Sequence, residues 1–196
     1  KNTKSEEALA GHLMLFAYRG KINIDDPNDL LSLFWAKAPL SLKQCSMEFL
    51  GRTLYNSKED IPPRIKERFM KLWDKRISTI KLEKKMNDAA LELNGFGWWF
   101  ISEKFDEIWD LNQLISALEL GAQIDPDRLV IERLSKLVTT HPLLVAKALI
   151  FIIESSKDEW LISGAKNEMS NIVSIVYSNS DKVIKKAGSG LINRLV

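Results

Sequence analysis

Few residues in this chain could carry catalysis or hold a metal. The 196 residues include two histidines and one cysteine. A metal site needs three or four ligands brought together. His12 and His141 lie 129 positions apart, with no H-E-x-x-H or C-x-x-C pattern around them. Cys45 has no histidine near it in sequence, so it reads as a small buried apolar residue rather than a nucleophile. His12, inside the apolar run GHLMLFAY, reads as a core or groove-edge side chain, and His141 as the start of a helix capped by Thr140.

Phosphate and acyl chemistry fare no better. The glycine pairs GFG (95–97) and GSG (188–190) lack the third glycine and the preceding strand of a dinucleotide site, and there is no G-x-x-x-x-G-K-[ST] loop. Ser163 precedes a glycine without a G-x-S-x-G frame. The carboxylate pairs Asp25 with Asp26 and Asp106 with Glu107 fall at helix starts, where the helix dipole accounts for them. We therefore expect no enzyme, no metal and no cofactor.

Two features could bind a partner instead. Residues 64–85 carry nine basic side chains against three acidic, and Arg64, Arg68, Lys71 and Lys75 follow at i, i+4, i+7 and i+11. Ile65, Phe69, Leu72, Trp73 and Ile80 lie opposite, so the stripe is either a solvated outer face or a positive surface for nucleic-acid phosphates or an acidic partner. The second feature is GFGWWFISEKFDEIWD (95–110), with six aromatic side chains in sixteen positions. On a continuous helix Trp98, Ile101 and Phe105 share a face, whereas Trp99 points about 100° away. That spacing assigns Trp98, Phe105 and Trp109 to a core seam, and leaves Trp99, with Phe96, as the candidate partner contact.

Helical periodicity dominates the elements that must position these residues. Ser5 with two glutamates opens a helix that stops at Gly20, Asp26 stands before Pro27, and Pro62–Pro63, Asp106, His141–Pro142 and Asp181 each mark a further start. No stretch alternates apolar and polar residues between hairpin turns, so no sheet is expected. If the helices starting near 26, 62, 106, 141 and 181 are second members of hairpins, their spacings are 36, 44, 35 and 40 residues. That period belongs to stacked two-helix repeats. The expectation is an all-α, right-handed superhelix of αα-hairpins like HEAT and ARM solenoids, with about ten helices in about five hairpins. It would form a single domain over 1–196 with a soft internal boundary near 81–95. LLVAKALIFII (143–153) is apolar nearly all round and should be covered on several sides.

Composition fits such a scaffold. The chain is 45% hydrophobic and 28% charged, with a formal net charge of +2. Residues 1–98 hold 17 basic and 13 acidic side chains, and residues 99–196 hold 11 and 13. One cysteine implies no disulfide, and neither an apolar signal core nor a membrane-length apolar run is present, so a soluble cytoplasmic piece of a longer protein is expected.

From residue 95 onward FGWWFISEKFD, IDPDRLVIERLSKL, HPLLVAKALIFII and LINRLV resemble the C-terminal helical region of large bacterial multidomain proteins. In some of these, the N-terminal part is a STAND-type nucleotide-binding module or a sirtuin-like NAD-consuming module associated with phage defence. The resemblance implies a scaffold or sensor arm that binds protein, or its own parent's effector module, with catalysis located elsewhere. A nucleic-acid-binding arm using the basic stripe is the alternative.

Overall fold

A computed structural model describes residues 4–22, 30–82, 91–155 and 164–195. Among them are ten helices and no strand. They are α1 (Lys4–Tyr18), α2 (Leu30–Lys37), α3 (Leu40–Asn56), α4 (Pro63–Leu82), α5 (Phe96–Ile101), α6 (Glu107–Glu119), α7 (Asp127–Leu137), α8 (Pro142–Ser155), α9 (Lys166–Tyr177) and α10 (Lys182–Leu195). The expected start at Asp26 and the 83–90 part of the expected boundary lie outside the described residues.

Local chemistry explains the helix ends. Glu6 and Glu7 sit in the first turn of α1, where carboxylates offset the helix dipole. After Tyr18 the amides of Gly20 and Lys21 fold back onto the carbonyls of Ala17 and Phe16, the paired closure that ends many helices. Pro63 opens α4, where a missing N–H costs nothing. The Asp106 carboxylate caps α6 by accepting from the amides of Ile108 and Trp109. Asp181 caps α10 in the same way, through Val183 and Ile184.

Packing runs in two rows. In one, α1 touches α3, α3 touches α5, α5 touches α7 and α7 touches α9; in the other, α4 touches α6, α6 touches α8 and α8 touches α10. Contacts of α5 with α6, α7 with α8, and α9 with α8 and α10 tie the rows together. The starts of α4, α6, α8 and α10 each fall one residue after the position expected from sequence. As its composition requires, α8 is enclosed: it contacts α6, α7, α9 and α10 and buries Val145, Ala146, Ala148, Leu149 and Ile152. Close approach depends on small residues. A Cβ on Gly188 would come within 2.8 Å of the Tyr177 backbone nitrogen, so α10 can lie against α9 only with glycine there.

The core between the rows is aromatic around α4, α5 and α6. Trp73 stacks on Phe96 with ring centres 4.6 Å apart, and Trp99 lies 5.5 Å from Trp73, 5.8 Å from Phe69 and 5.7 Å from Phe105. Offset and edge-on contacts of this kind add to the burial of large apolar surface.

Candidate partner-docking surface

Trp99 and Phe96, expected as exposed contacts, are both fully buried. The Trp99 indole donates to the Met47 carbonyl at 2.8 Å, which ties α5 to α3. The expectation failed because the stretch is not one continuous helix. α5 is only six residues long, and Glu103, with φ of 57°, turns the chain before Phe105. Phe105 therefore joins Trp99 rather than continuing a face with Trp98. Gly51 makes the arrangement possible, since a Cβ there would lie 2.7 Å from Trp98 Cβ and Trp99 Cδ1.

Trp98 takes the outer position instead. It is half-buried, with the Arg52 guanidinium 4.2 Å above its ring, Tyr55 edge-on at 5.6 Å, and its indole N–H donating to Asp125 at 3.0 Å. The face already has its cation, so the cluster is a surface clamp between α3, α5 and the turn before α7.

The basic stripe is interrupted. Arg64, Lys71 and Lys75 are exposed on α4, and Lys71 pairs with Glu67 at 2.9 Å. Arg68 is buried among the residues of the inward face, so the expected run of four outward cations does not exist. On a helix of 3.6 residues per turn, positions four apart diverge by about 40°. That is enough to bring Arg68 to the edge of a broad packed face also containing Ile65, Phe69 and Trp73.

The candidates for chemistry are dispersed. His141 precedes α8, its ring 2.9 Å from Glu107, rather than forming part of a metal cluster, and no group of metal-ligating side chains is found among the described residues. Burial pushes the Cys45 thiol up, and the carboxylates of Glu7 and Glu48 push it further, which disfavours a thiolate. Two charge pairs are internal. Glu92 accepts hydrogen bonds from Nε and Nη2 of Arg76, each at 2.8 Å, and from the Trp35 indole N–H at 2.8 Å. Asp110 of α6 pairs with Arg133 of α7 at 2.8 Å. Burial pushes the Asp110 carboxyl up to about 7, against the lowering pull of Arg133. Raised carboxyls mark active sites when a substrate can reach them. Asp110 has no exposed surface, which makes it a structural charge here.

One surface stands out by its composition. At the α1 end of the odd-numbered row, α1, α2 and the start of α3 enclose a groove of about 530 Å³. Leu13, Phe34 and Leu42 form its floor, and Leu9 (71% exposed), Phe16 (49%) and Leu33 (44%) stand along its edges. Glu6, His12 and Lys37 are its polar members, so His12 is an exposed groove-edge residue rather than core. Such a concentration of large apolar side chains in water is unfavourable unless something covers it.

No family model, curated protein or solved structure matches this chain. Sequence reading did not identify the groove, although a signal was present. Ala10, Leu13, Met14 and Ala17 supply α1 with a complete buried face, which leaves Leu9 and Phe16 as surplus apolar residues on a second face.

Proposed function

We propose that this chain is a non-catalytic helical-repeat segment, a right-handed HEAT/ARM-like superhelix of αα-hairpins, that works by binding protein through the groove between α1 and α2. The carrying observation is that groove, with Leu9, Phe16 and Leu33 exposed around an apolar floor. A groove between two helices suits an amphipathic helix, whose apolar side chains enter at i, i+3 or i+4, and i+7. Support for the repeat reading comes from the two rows of alternate-helix contacts and the regular helix starts. Repeat units of this kind bury their faces against neighbours and present long surfaces to partners. On this reading, as the resemblance to large bacterial multidomain proteins implies, catalysis belongs to another module of a longer parent. The nucleic-acid alternative has less support, because burial of Arg68 breaks the cationic stripe.

The test places a photo-crosslinking amino acid at Phe16 on the groove edge or at Ser78, exposed on α4, in the intact protein in its host. Protein adducts at position 16 and none at 78 are expected. Adducts at 78 alone, or at neither position, would overturn the assignment.

A further inference from the structure

Between Leu33 and Lys37, the groove wall formed by α2 enters the core through one side chain. α2 has eight residues, too few to hold a helix in water by themselves. It takes no part in the extended helix contacts that build the two rows, and Pro39, with extended backbone (ψ 153°), separates it from α3. In the stretch from Leu33 to Lys37 only Trp35 is buried. Leu33, Phe34 and Lys37 line the groove instead. Trp35 therefore anchors the wall from behind.

That anchor ends on a buried charge. The Trp35 indole N–H donates to Oε1 of Glu92 at 2.8 Å, and Glu92 is 1% exposed. Arg76 of α4 holds the same carboxylate through Nε and Nη2, each at 2.8 Å. A carboxylate taken out of water keeps its place only while such partners remain. Hydrogen bonds are directional, whereas apolar packing tolerates sliding. Fixing the indole thus fixes the rotation of α2. Phe34, about 100° around the helix from Trp35, is thereby directed into the groove floor.

Segments with few buried contacts open on their own, without unfolding what they rest on. We propose that α2 is a groove wall that opens independently of the two rows, and that Arg76 and Glu92 act through Trp35 as the latch that positions it for docking. The docking half of this rests on the reading of the groove as a protein-binding surface; the latch itself does not. Arg76 and Glu92 are positioning residues, since neither lines the groove.

Hydrogen exchange of the whole chain, read by mass spectrometry, tests the latch. In wild type the α2 amides should exchange faster than those of α3. Trp35→Phe removes the indole donor, and loss of a bond to a charged acceptor should speed exchange in α2 roughly tenfold while leaving α6 to α8 unaffected. Arg76→Lys keeps the charge but loses the two-pronged grip on Glu92. A role confined to α4 would loosen α4 alone, whereas the latch requires faster exchange in α2 as well. Photo-crosslinking at position 16 should fall in both variants. Wild-type α2 amides as slow as those of α3, a Trp35→Phe effect spread evenly over all helices, or an Arg76→Lys variant with unchanged α2 would overturn the proposal. So would undiminished crosslinking at position 16 in the Trp35→Phe variant. If both variants loosen α2 but the otherwise wild-type chain gives no adduct at position 16, the docking reading fails and the latch stands.

Discussion

Replacing Trp99 with alanine separates core from contact surface most sharply. The side chain is fully buried among Phe69, Trp73 and Phe105, and its indole N–H reaches the Met47 carbonyl. Truncating a buried Trp or Phe to Ala costs about 3–5 kcal/mol. Losing the hydrogen bond adds about 1 kcal/mol. Since the whole stability of a domain is about 5–15 kcal/mol, roughly a third or more of it would go. At about 2–4 °C per kcal/mol for a chain of this size, the melting midpoint should fall by roughly 10–20 °C. Urea denaturation followed by circular dichroism provides the free energy directly. Trp98→Ala is the control, losing a half-exposed ring, its contact with Arg52 and a surface hydrogen bond, for about 1–2 kcal/mol. Equal losses for the two variants, or a loss below about 1 kcal/mol for Trp99→Ala, would refute the packing described here.

Other perturbations have equally definite outcomes. Gly51→Ala should destabilise by about 1–3 kcal/mol in urea, despite the better helix propensity of alanine, because its Cβ would lie 2.7 Å from Trp98 and Trp99 atoms. For Asp110 the folded carboxyl lies above its ordinary value, at about 7 against 3.8, so the folded state holds the proton more tightly. Its contribution is fully present below pH 3.8 and is lost as pH rises through about 7. The urea midpoint of wild type should consequently fall relative to that of Asp110→Asn between those limits, and parallel curves would show that the charge titrates normally. Replacing Arg64, Lys71 and Lys75 together with glutamate should leave partner crosslinking at position 16 unchanged; its loss would place the binding surface on α4.

The sequence exposed the helices more readily than the surface. Proline and aspartate mark the starts of α4, α6, α8 and α10 because those residues act locally, on amides or dihedrals within one turn. The apolar run of α8 likewise made its enclosure evident. The fate of Trp98 and Trp99 depended on a nonlocal fact, the close approach permitted by Gly51 on another helix, and on the turn at Glu103. Arg68 was misplaced because charge alone does not reveal how wide the packed face of α4 is. The groove escaped notice because Leu9 and Phe16 resemble ordinary core residues until their neighbours are known to fill α1's buried face.

Hydroxyl-radical footprinting, performed on the dilute chain and again inside intact host cells, tests most directly whether the α1–α2 groove is a covered docking surface. Leu9, Phe16 and Leu33 should be modified in the dilute chain and protected in cells, while Leu82 (84% exposed) and Val183 (63%) should be modified in both. Equal modification of the groove residues in the two states would contradict the account.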